Sequence, residues 1–203
     1  KLLEAINQVL SQAVADCGEQ ALADTCLRAA RELTASSLGF IVDNQEGIWR
    51  LLAMAPATAE TPPTLVGNLE LFPLNGFWRE LVQCGETRAF SNPGRHPLWQ
   101  PLPGEYPEIR KLLVVPLPDK AGVSGFVALA NNPRGYAFID QTDVATLALS
   151  FVEALRRKRA EQAKQISERR LNLALDSADE GLWDYLIQTE EIYYSPRWFT
   201  LLG

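Results

Sequence analysis

Hydrophobic and polar residues alternate with two different periods along the chain. Where apolar residues recur every three or four positions, the pattern predicts amphipathic helices, at residues 2–14, 19–35 and 75–84. Where the period is two, it predicts two hairpins and one short strand, at residues 38–54, 111–131 and 88–91. The order of these elements predicts an α+β domain with an antiparallel sheet flanked by helices.

The last helical segment is unusually long. Residues 140–177 contain neither glycine nor proline and are rich in good helix formers, which predicts one continuous helix on the order of 57 Å long at about 1.5 Å per residue. We expect it to pack on a globular domain at its start and then to pair as a weak coiled coil, with a solvated single helix as the alternative. The predicted heptad seam consists of Ala148, Val152, Leu155, Arg159, Gln162, Ile166 and Leu173.

Composition limits the possible functions. The 203 residues are 47% apolar, which is normal for a folded soluble protein, and the formal net charge is −6. Residues 151–170 are basic, but aromatic residues are not interleaved with the charges, which disfavours nucleic-acid binding. No apolar run reaches the roughly 18 residues of a membrane span, and no signal-peptide pattern is present. We expect a cytoplasmic protein and, because the chain starts without Met, a piece of a longer one.

Few side chains suited to catalysis are present. His96 is the only histidine, which excludes a metal site built on several imidazoles, and Cys17, Cys26 and Cys84 form no CxxC pair. Three widely spaced cysteines suit a reducing cytoplasm better than a disulfide framework. No glycine-rich phosphate-binding loop occurs. We therefore predict no catalytic residue and no metal site in this chain, and we leave any cofactor open.

The segment GEYPEIRKLLVVPLPDKAGVSGFVALANNPRGYAFIDQTDVATL, residues 104–147, resembles the C-terminal half of a GAF domain. In that family a short strand with proline, a strand with glycine that ends in Ala-Asn, a Gly-Tyr turn and an Asp-bearing helix start follow in this order. The sequence LGFI at 38–41, after a helix, is similar to the first half of the same family. The resemblance extends over about residues 1–155. It implies a GAF-like sensory domain at 1–139 and a signalling helix at 140–177.

Residues 178–203 resemble the opening of a second family, the PAS domain. That family begins with an amphipathic helix, a strand with Trp-Asp, a short turn, a strand with Tyr-Tyr-Ser and a helix that opens on Pro-Arg-Trp. The matching residues are Gly181, Trp183, Asp184, Tyr193, Ser195, Pro196 and Trp198. Only about the first third of a PAS fold is present, so we expect an incomplete PAS domain at 178–203.

A ligand pocket is expected between the sheet and the proline-rich segment 91–109, which would cover it. A partial match to the cyclic-nucleotide motif of GAF domains, at residues 131–132, 138 and 142–143, lacks the Lys and Glu of that motif. Bilin attachment would need a neighbouring Cys and His, which the chain lacks, so the ligand stays unknown. The candidate pocket residues, each with core packing as the alternative, are Phe40, Trp78, Phe90, His96, Trp99, Leu113 and Val115.

These resemblances imply a sensory module of a bacterial signal-transduction protein. A small ligand or partner bound by the GAF-like domain would change the packing of the long helix, and the helix would pass the change to the PAS domain and to a downstream output domain. The parent is expected to be a sensor histidine kinase, and the module a parallel homodimer through its N-terminal and long helices. The alternatives are a diguanylate cyclase as the parent, a small-molecule reductase with Cys84 as its catalytic thiol, and a purely structural dimerisation module.

Overall fold

The structure is a computed structural model that describes residues 1–15, 17–55, 74, 76–101, 108–120, 122–178, 183–186, 191–195 and 198–199. The chain divides into two compact units, Lys1–Lys158 and Arg159–Gly203. The elements that begin in the first unit are α1 (Leu2–Val14), α2 (Glu19–Thr34), β1 (Leu38–Gln45), β2 (Ile48–Ala55), α3 (Gly76–Cys84), β3 (Arg88–Phe90), β4 (Leu112–Asp119), β5 (Gly122–Ala130) and α4 (Phe138–Ala178). The helices and strands predicted from the two periods all occur.

The five strands form one antiparallel sheet in the order β2-β1-β5-β4-β3. β1 and β5 lie at its centre and are covered on both faces, which explains why their sequences are nearly continuous apolar runs. In the pairing of β1 with β5, Leu38 lies opposite Ala130 and Val42 opposite Phe126. The predicted α+β class with an antiparallel sheet is confirmed.

Side chains alternate between the two faces of the sheet and form two separate cores. One face packs against α1, α2 and the first turns of α4, and its strand residues include Ile41, Leu113, Val115, Val127 and Leu129. The other face packs against α3, and its strand residues include Leu38, Phe40, Val42, Leu112, Val114 and Phe126. α4 contributes Val144, Leu147 and Phe151 to the first core, each at most 1% exposed, as its wide apolar face predicted.

Two backbone features fix the sheet. The hairpin of β1 and β2 turns through Glu46 and Gly47, which both have positive φ, as two-residue hairpin loops with the twist of the strands require. At Gly125 in β5 the carbonyl oxygen of Val42 occupies the space where a Cβ atom would lie. Glycine is therefore required for the close approach of β1 and β5 at this point.

α4 begins at Phe138, two residues before the predicted start at Asp140. The Asp140 carboxylate accepts a hydrogen bond from the backbone N–H of Ala137 at 2.8 Å, so it satisfies one of the free N–H groups at the helix start from within the first turn. Just before the helix, the Tyr136 hydroxyl is hydrogen-bonded to the Ser36 hydroxyl at 2.9 Å. This contact fastens the connection from β5 to α4 onto the end of α2.

The second unit contains the end of α4 and a hairpin of β6 (Trp183–Leu186) and β7 (Glu191–Tyr194), in which Trp183 lies opposite Tyr194. Among the helices of the described ranges, none combines the length and apolarity of a membrane-spanning segment. The stretch 55–67 is rich in Pro and Thr, and the sequence predicts a loop there; it lies outside the described residues from 56 onward. Residues 102–107 of the proline-rich segment and the motif residues Gly181 and Pro196 lie outside them as well.

Candidate functional site

The face of the sheet under α3 carries a cluster of aromatic side chains. α3 is amphipathic and directs Phe77, Trp78 and Leu81 onto the strands, each at most 5% exposed. The indole ring of Trp78 is stacked on the phenyl ring of Phe126, with centroids 5.3 Å apart, and meets the edge of Phe40 at 5.6 Å. These contacts form the floor of the site.

The segment that follows β3 forms the rim. A short turn of 3-10 helix at Pro93–Arg95 reverses the chain, and the backbone N–H of Trp99 donates to the carbonyl of His96 at 3.0 Å. The reversal brings both rings onto Phe77, whose centroid lies 5.1 Å from that of His96 and 4.9 Å from that of Trp99. Phe90 also contacts Phe77, at 5.4 Å. The described part of the proline-rich segment therefore contacts α3, and its role as the cover of a ligand pocket stays a prediction.

His96 is the polar group of the rim. Its Nδ1 accepts a hydrogen bond from the backbone N–H of Leu98 at 3.3 Å, which assigns the proton of the neutral ring to Nε2. Nε2 lies 3.7 Å from a carboxylate oxygen of Glu80 on α3. The imidazole thus links the rim segment to α3 and presents a partly exposed edge at the entrance of the site.

A second polar atom lies on the same face of the sheet. Asn44 follows Phe40 and Val42 in the alternation of β1 and lies opposite Trp49 of β2. Its Oδ1 is buried and has no hydrogen-bond partner among the residues that the structure describes. Because a buried acceptor without a donor is costly, Oδ1 is the point of this face at which a ligand N–H or O–H would gain most.

The seven predicted pocket residues are divided by the sheet. Phe40, Trp78, Phe90, His96 and Trp99 come together on the α3 face, whereas Leu113 and Val115 lie in the core on the other face. The prediction did not include Phe77 and Phe126, which are central to the cluster. Their signals in the sequence were the period of α3, which puts Phe77 beside Trp78 on one face, and the alternation of β5. Whether the residues bind a ligand stays a prediction.

The residues of the partial cyclic-nucleotide motif have structural partners instead. Asn131 Oδ1 accepts from the backbone N–H groups of Arg110 and Lys111 at 2.8 and 3.3 Å, and its Nδ2 donates to the carbonyl of Glu108 at 2.9 Å. Asn132 is buried and accepts from the N–H of Arg134. Phe138 is 82% exposed. Asn131 thus holds the start of β4, and Asn132 holds the turn that follows β5.

The cysteines and the possible metal ligands lie as follows. No group of His, Cys, Asp and Glu that could hold a metal ion occurs within the described ranges. The Cys84 thiol donates to the Glu86 carboxylate at 3.5 Å, at the exposed end of α3. Cys26 is fully buried, and this burial raises the pKa of its thiol to about 12, so it is inert in the folded chain.

The exposure of the predicted seam residues of α4 increases along the helix. Ala148, Val152 and Leu155 are at most 6% exposed in the core of the first unit, so they are occupied within the chain. Arg159 and Gln162 are partly exposed. Ile166 and Leu173 are 52% and 58% exposed. The apolar residues of the seam are thus buried in its first part and exposed in its later part.

Comparison with known proteins identifies the family to which this fold belongs. The family model of the GAF domain matches residues 18–156. This chain therefore belongs to the GAF domain family, whose members are signalling domains.

Solved structures agree with this assignment at the level of the fold. The chain is similar to the GAF domain of a phosphoenolpyruvate-protein phosphotransferase (ptsP) from Coxiella burnetii, with a TM-score of 0.66 and 16% identity over 80% of this chain and 96% of that one. The corresponding domain from Acinetobacter gives a TM-score of 0.63 and 18% identity over 78% of this chain and 94% of that one.

One curated relative is similar in sequence over a short segment. The chain is 40% identical over 50 residues to the hybrid signal transduction histidine kinase A of Dictyostelium discoideum. The match covers 25% of this chain and 2% of that protein. The similarity to a histidine kinase is therefore weak and partial.

Proposed function

We propose that this chain is the sensory module of a signal-transduction protein, in which the GAF domain responds to a small ligand or partner and α4 relays the response. The observation that carries the proposal is the path of α4. Its residues Val144, Leu147, Phe151 and Leu155 are packed in the first core, and the same helix extends to Ala178, with exposed side chains at residues 163–174. A helix that is rigid and anchored in the core transmits a change of its packing along its length.

The aromatic cluster is the proposed sensing site. GAF domains bind small ligands, and this face offers a stacked Trp78–Phe126 pair, the partly exposed rings of His96 and Trp99, and the buried acceptor of Asn44. A flat, largely apolar ligand with a hydrogen-bond donor suits these groups. Because Trp78 and Phe126 are each 1% exposed, such a ligand would enter by moving the rim rather than by filling an open cavity.

A parallel homodimer through α1 and α4 is proposed as the working form. α1 exposes Leu3, Leu10 and Val14, which are 73%, 43% and 70% exposed, and α4 exposes Ile166 and Leu173. Apolar residues at these spacings favour helix pairing, and the polar seam positions Arg159 and Gln162 would keep that pairing weak. Native mass spectrometry tests it. Ile166→Asn should lower the dimer fraction, while Leu149→Asn, at an exposed α4 position off the seam, should not.

The proposed domain organisation has a sensory domain at 1–139, a signalling helix at 140–177 and the start of a PAS domain at 178–203. Two observations support the start of a PAS domain. They are the order of Trp183-Asp184 and Tyr193-Tyr194-Ser195 in the sequence and the antiparallel pairing of β6 with β7. The output domain is proposed to be a histidine kinase, supported by the partial similarity to such a protein. A cytoplasmic location is proposed as well, and the three free cysteines agree with it.

A thermal-shift screen of metabolites on the whole chain tests the sensing role. We expect a small aromatic compound to raise the melting temperature, and we expect Trp99→Ala and Asn44→Leu to abolish the shift without unfolding the protein. Leu149→Asn, which lies on α4 outside the aromatic face, is the matched control and should keep the full shift. Equal shifts in all variants would place the binding elsewhere and refute the proposed site.

A further inference from the structure

Two cationic side chains hold the last turn of α4 that belongs to the first unit. Arg156 Nη2 donates to the carbonyl of Pro118 at 3.1 Å and to the Asp119 carboxylate at 2.7 Å, both at the end of β4. Lys158 Nζ donates to the carbonyl of Ala15 at 2.9 Å, at the end of α1. Arg156 thus contacts the backbone at the end of β4, and Lys158 contacts the backbone of the α1–α2 connection.

The two contacts differ in burial. Lys158 is only 9% exposed, which is rare for a lysine, and its ammonium group also lies 3.8 Å from the Cys17 sulfur. A buried ammonium group that lost its carbonyl acceptor would be left with too few hydrogen bonds, so this contact is costly to break. The side chains of Arg156 and Asp119 are 43% and 44% exposed, and their pair is therefore weaker and sensitive to salt.

Arg156 and Lys158 are two residues apart, and this spacing sets the directions in which their side chains leave the helix. A separation of two residues corresponds to about 200° around the helix axis, so the side chains leave from nearly opposite sides. Val152 and Leu155, which precede them on the helix, are buried in the first core at 6% and 4% exposed. This turn of α4 is therefore held from one side by the end of β4 and from the other by the α1–α2 connection.

We propose that Arg156 and Lys158 form a clamp that couples the α1–α2 connection to the end of β4 through α4. Both contacts require the same position and rotation of this turn of helix. By linkage, loosening one contact then weakens the other. This inference deepens the proposed relay, because it names the residues through which movements of the domain reach α4.

Hydrogen exchange measured on the whole chain tests the clamp and needs neither a ligand nor an output domain. A failure of the clamp is therefore distinguishable from a failure of the relay. In Lys158→Met we expect exchange to rise about fivefold or more at Cys17 and Gly18, at residues 155–158, and at Asp119 and Lys120, which Lys158 does not contact. Lys164→Met, which removes an exposed lysine further along the same helix, should leave all three regions unchanged.

A milder variant tests the reverse direction. Asp119→Asn removes a surface carboxylate that Arg156 contacts and leaves the core intact. It should raise exchange at Asp119 and Lys120, and also at Cys17 and Gly18 on the other side of the helix. If each variant raises exchange only in the segment that it contacts, the two cations act independently and the proposal is overturned. Unchanged exchange everywhere would overturn it equally.

Discussion

The indole ring of Trp78 lies flat on the phenyl ring of Phe126, with 5.3 Å between centroids and 4° between planes. One ring comes from α3 and the other from the central strand β5, so the pair joins the helix to the sheet at the middle of the aromatic cluster. Both residues are 1% exposed. The stack therefore serves first as packing, and any ligand must compete with it.

Replacing Trp78 tests this packing role. Trp78→Ala should lower the free energy of unfolding by about 3–5 kcal/mol, because a large buried ring is lost and the helix cannot close the gap. Urea denaturation followed by circular dichroism measures the change. Arg79→Ala, at the next and exposed position of α3, should stay within about 0.5 kcal/mol of the parent chain. Similar losses for the two variants would contradict the role given to the stack.

Gly125 should not tolerate a side chain. In Gly125→Ala the new methyl group would meet the carbonyl oxygen of Val42 in the neighbouring strand, and β1 and β5 would have to separate. We expect a loss of about 2–3 kcal/mol in unfolding free energy. Gly76→Ala is the control, because its Cβ would meet only Leu98 side-chain atoms at 3.5 Å, an ordinary contact. A well-tolerated Gly125→Ala would show that the strands are further apart than described.

Asn131 is expected to fix the start of β4 through its side chain. Its φ of 60° lies in the left-handed region, so Asn131→Gly keeps the backbone conformation and removes only the three side-chain hydrogen bonds. The loss should be about 1–3 kcal/mol. Glu46→Gly provides the comparison, since Glu46 also has positive φ but is exposed in a turn, and it should be neutral or slightly stabilising. If backbone strain were the main effect, Asn131→Gly would be more stable than Glu46→Gly.

Tyr136 should make stability depend on pH in the alkaline range. Burial raises the pKa of its hydroxyl from 10.0 to about 12, partly offset by the hydrogen bonds to Ser36 and to the backbone of Asn132. Between these two values the unfolded chain has lost the proton and the folded chain still holds it, so unfolding releases a proton. The contribution of Tyr136 is therefore complete below pH 10.0 and is lost as the pH rises toward 12.

Tyr136→Phe isolates this effect from that of other groups that titrate in the same range. The difference in unfolding free energy between parent and variant should be constant from pH 7 to pH 9 and should shrink above pH 10.0. Denaturant titrations at a series of pH values measure it. A difference that grows above pH 10.0 would mean that the folded state favours the ionised phenol, contrary to the burial of this group.

The sequence predicted the elements well because each has a strong local period. It could not assign strand residues to a face of the sheet: Leu113 and Val115 have the same apolar character as Val114, and only pairing with β5 decides which side each occupies. The sequence likewise does not decide which face of the sheet Phe126 occupies. The contacts of Asn131 with Glu108 and of Lys158 with Ala15 join residues far apart in the chain, which periodicity does not report. The early start of α4, with Asp140 inside its first turn, is the ordinary imprecision of helix boundaries.

The relay through α4 is tested most directly by insertions into its exposed part, after Ser167, in the full-length protein. Seven residues rotate the following segment by about −20°, whereas two residues rotate it by about 200°. With the autophosphorylation rate of the proposed kinase as the readout, the seven-residue insertion should keep the parent rate and its response to ligand, and the two-residue insertion should fix the rate at one level. Equal rates and equal responses in both insertions would show that the rotation of α4 carries no signal, and would contradict the account.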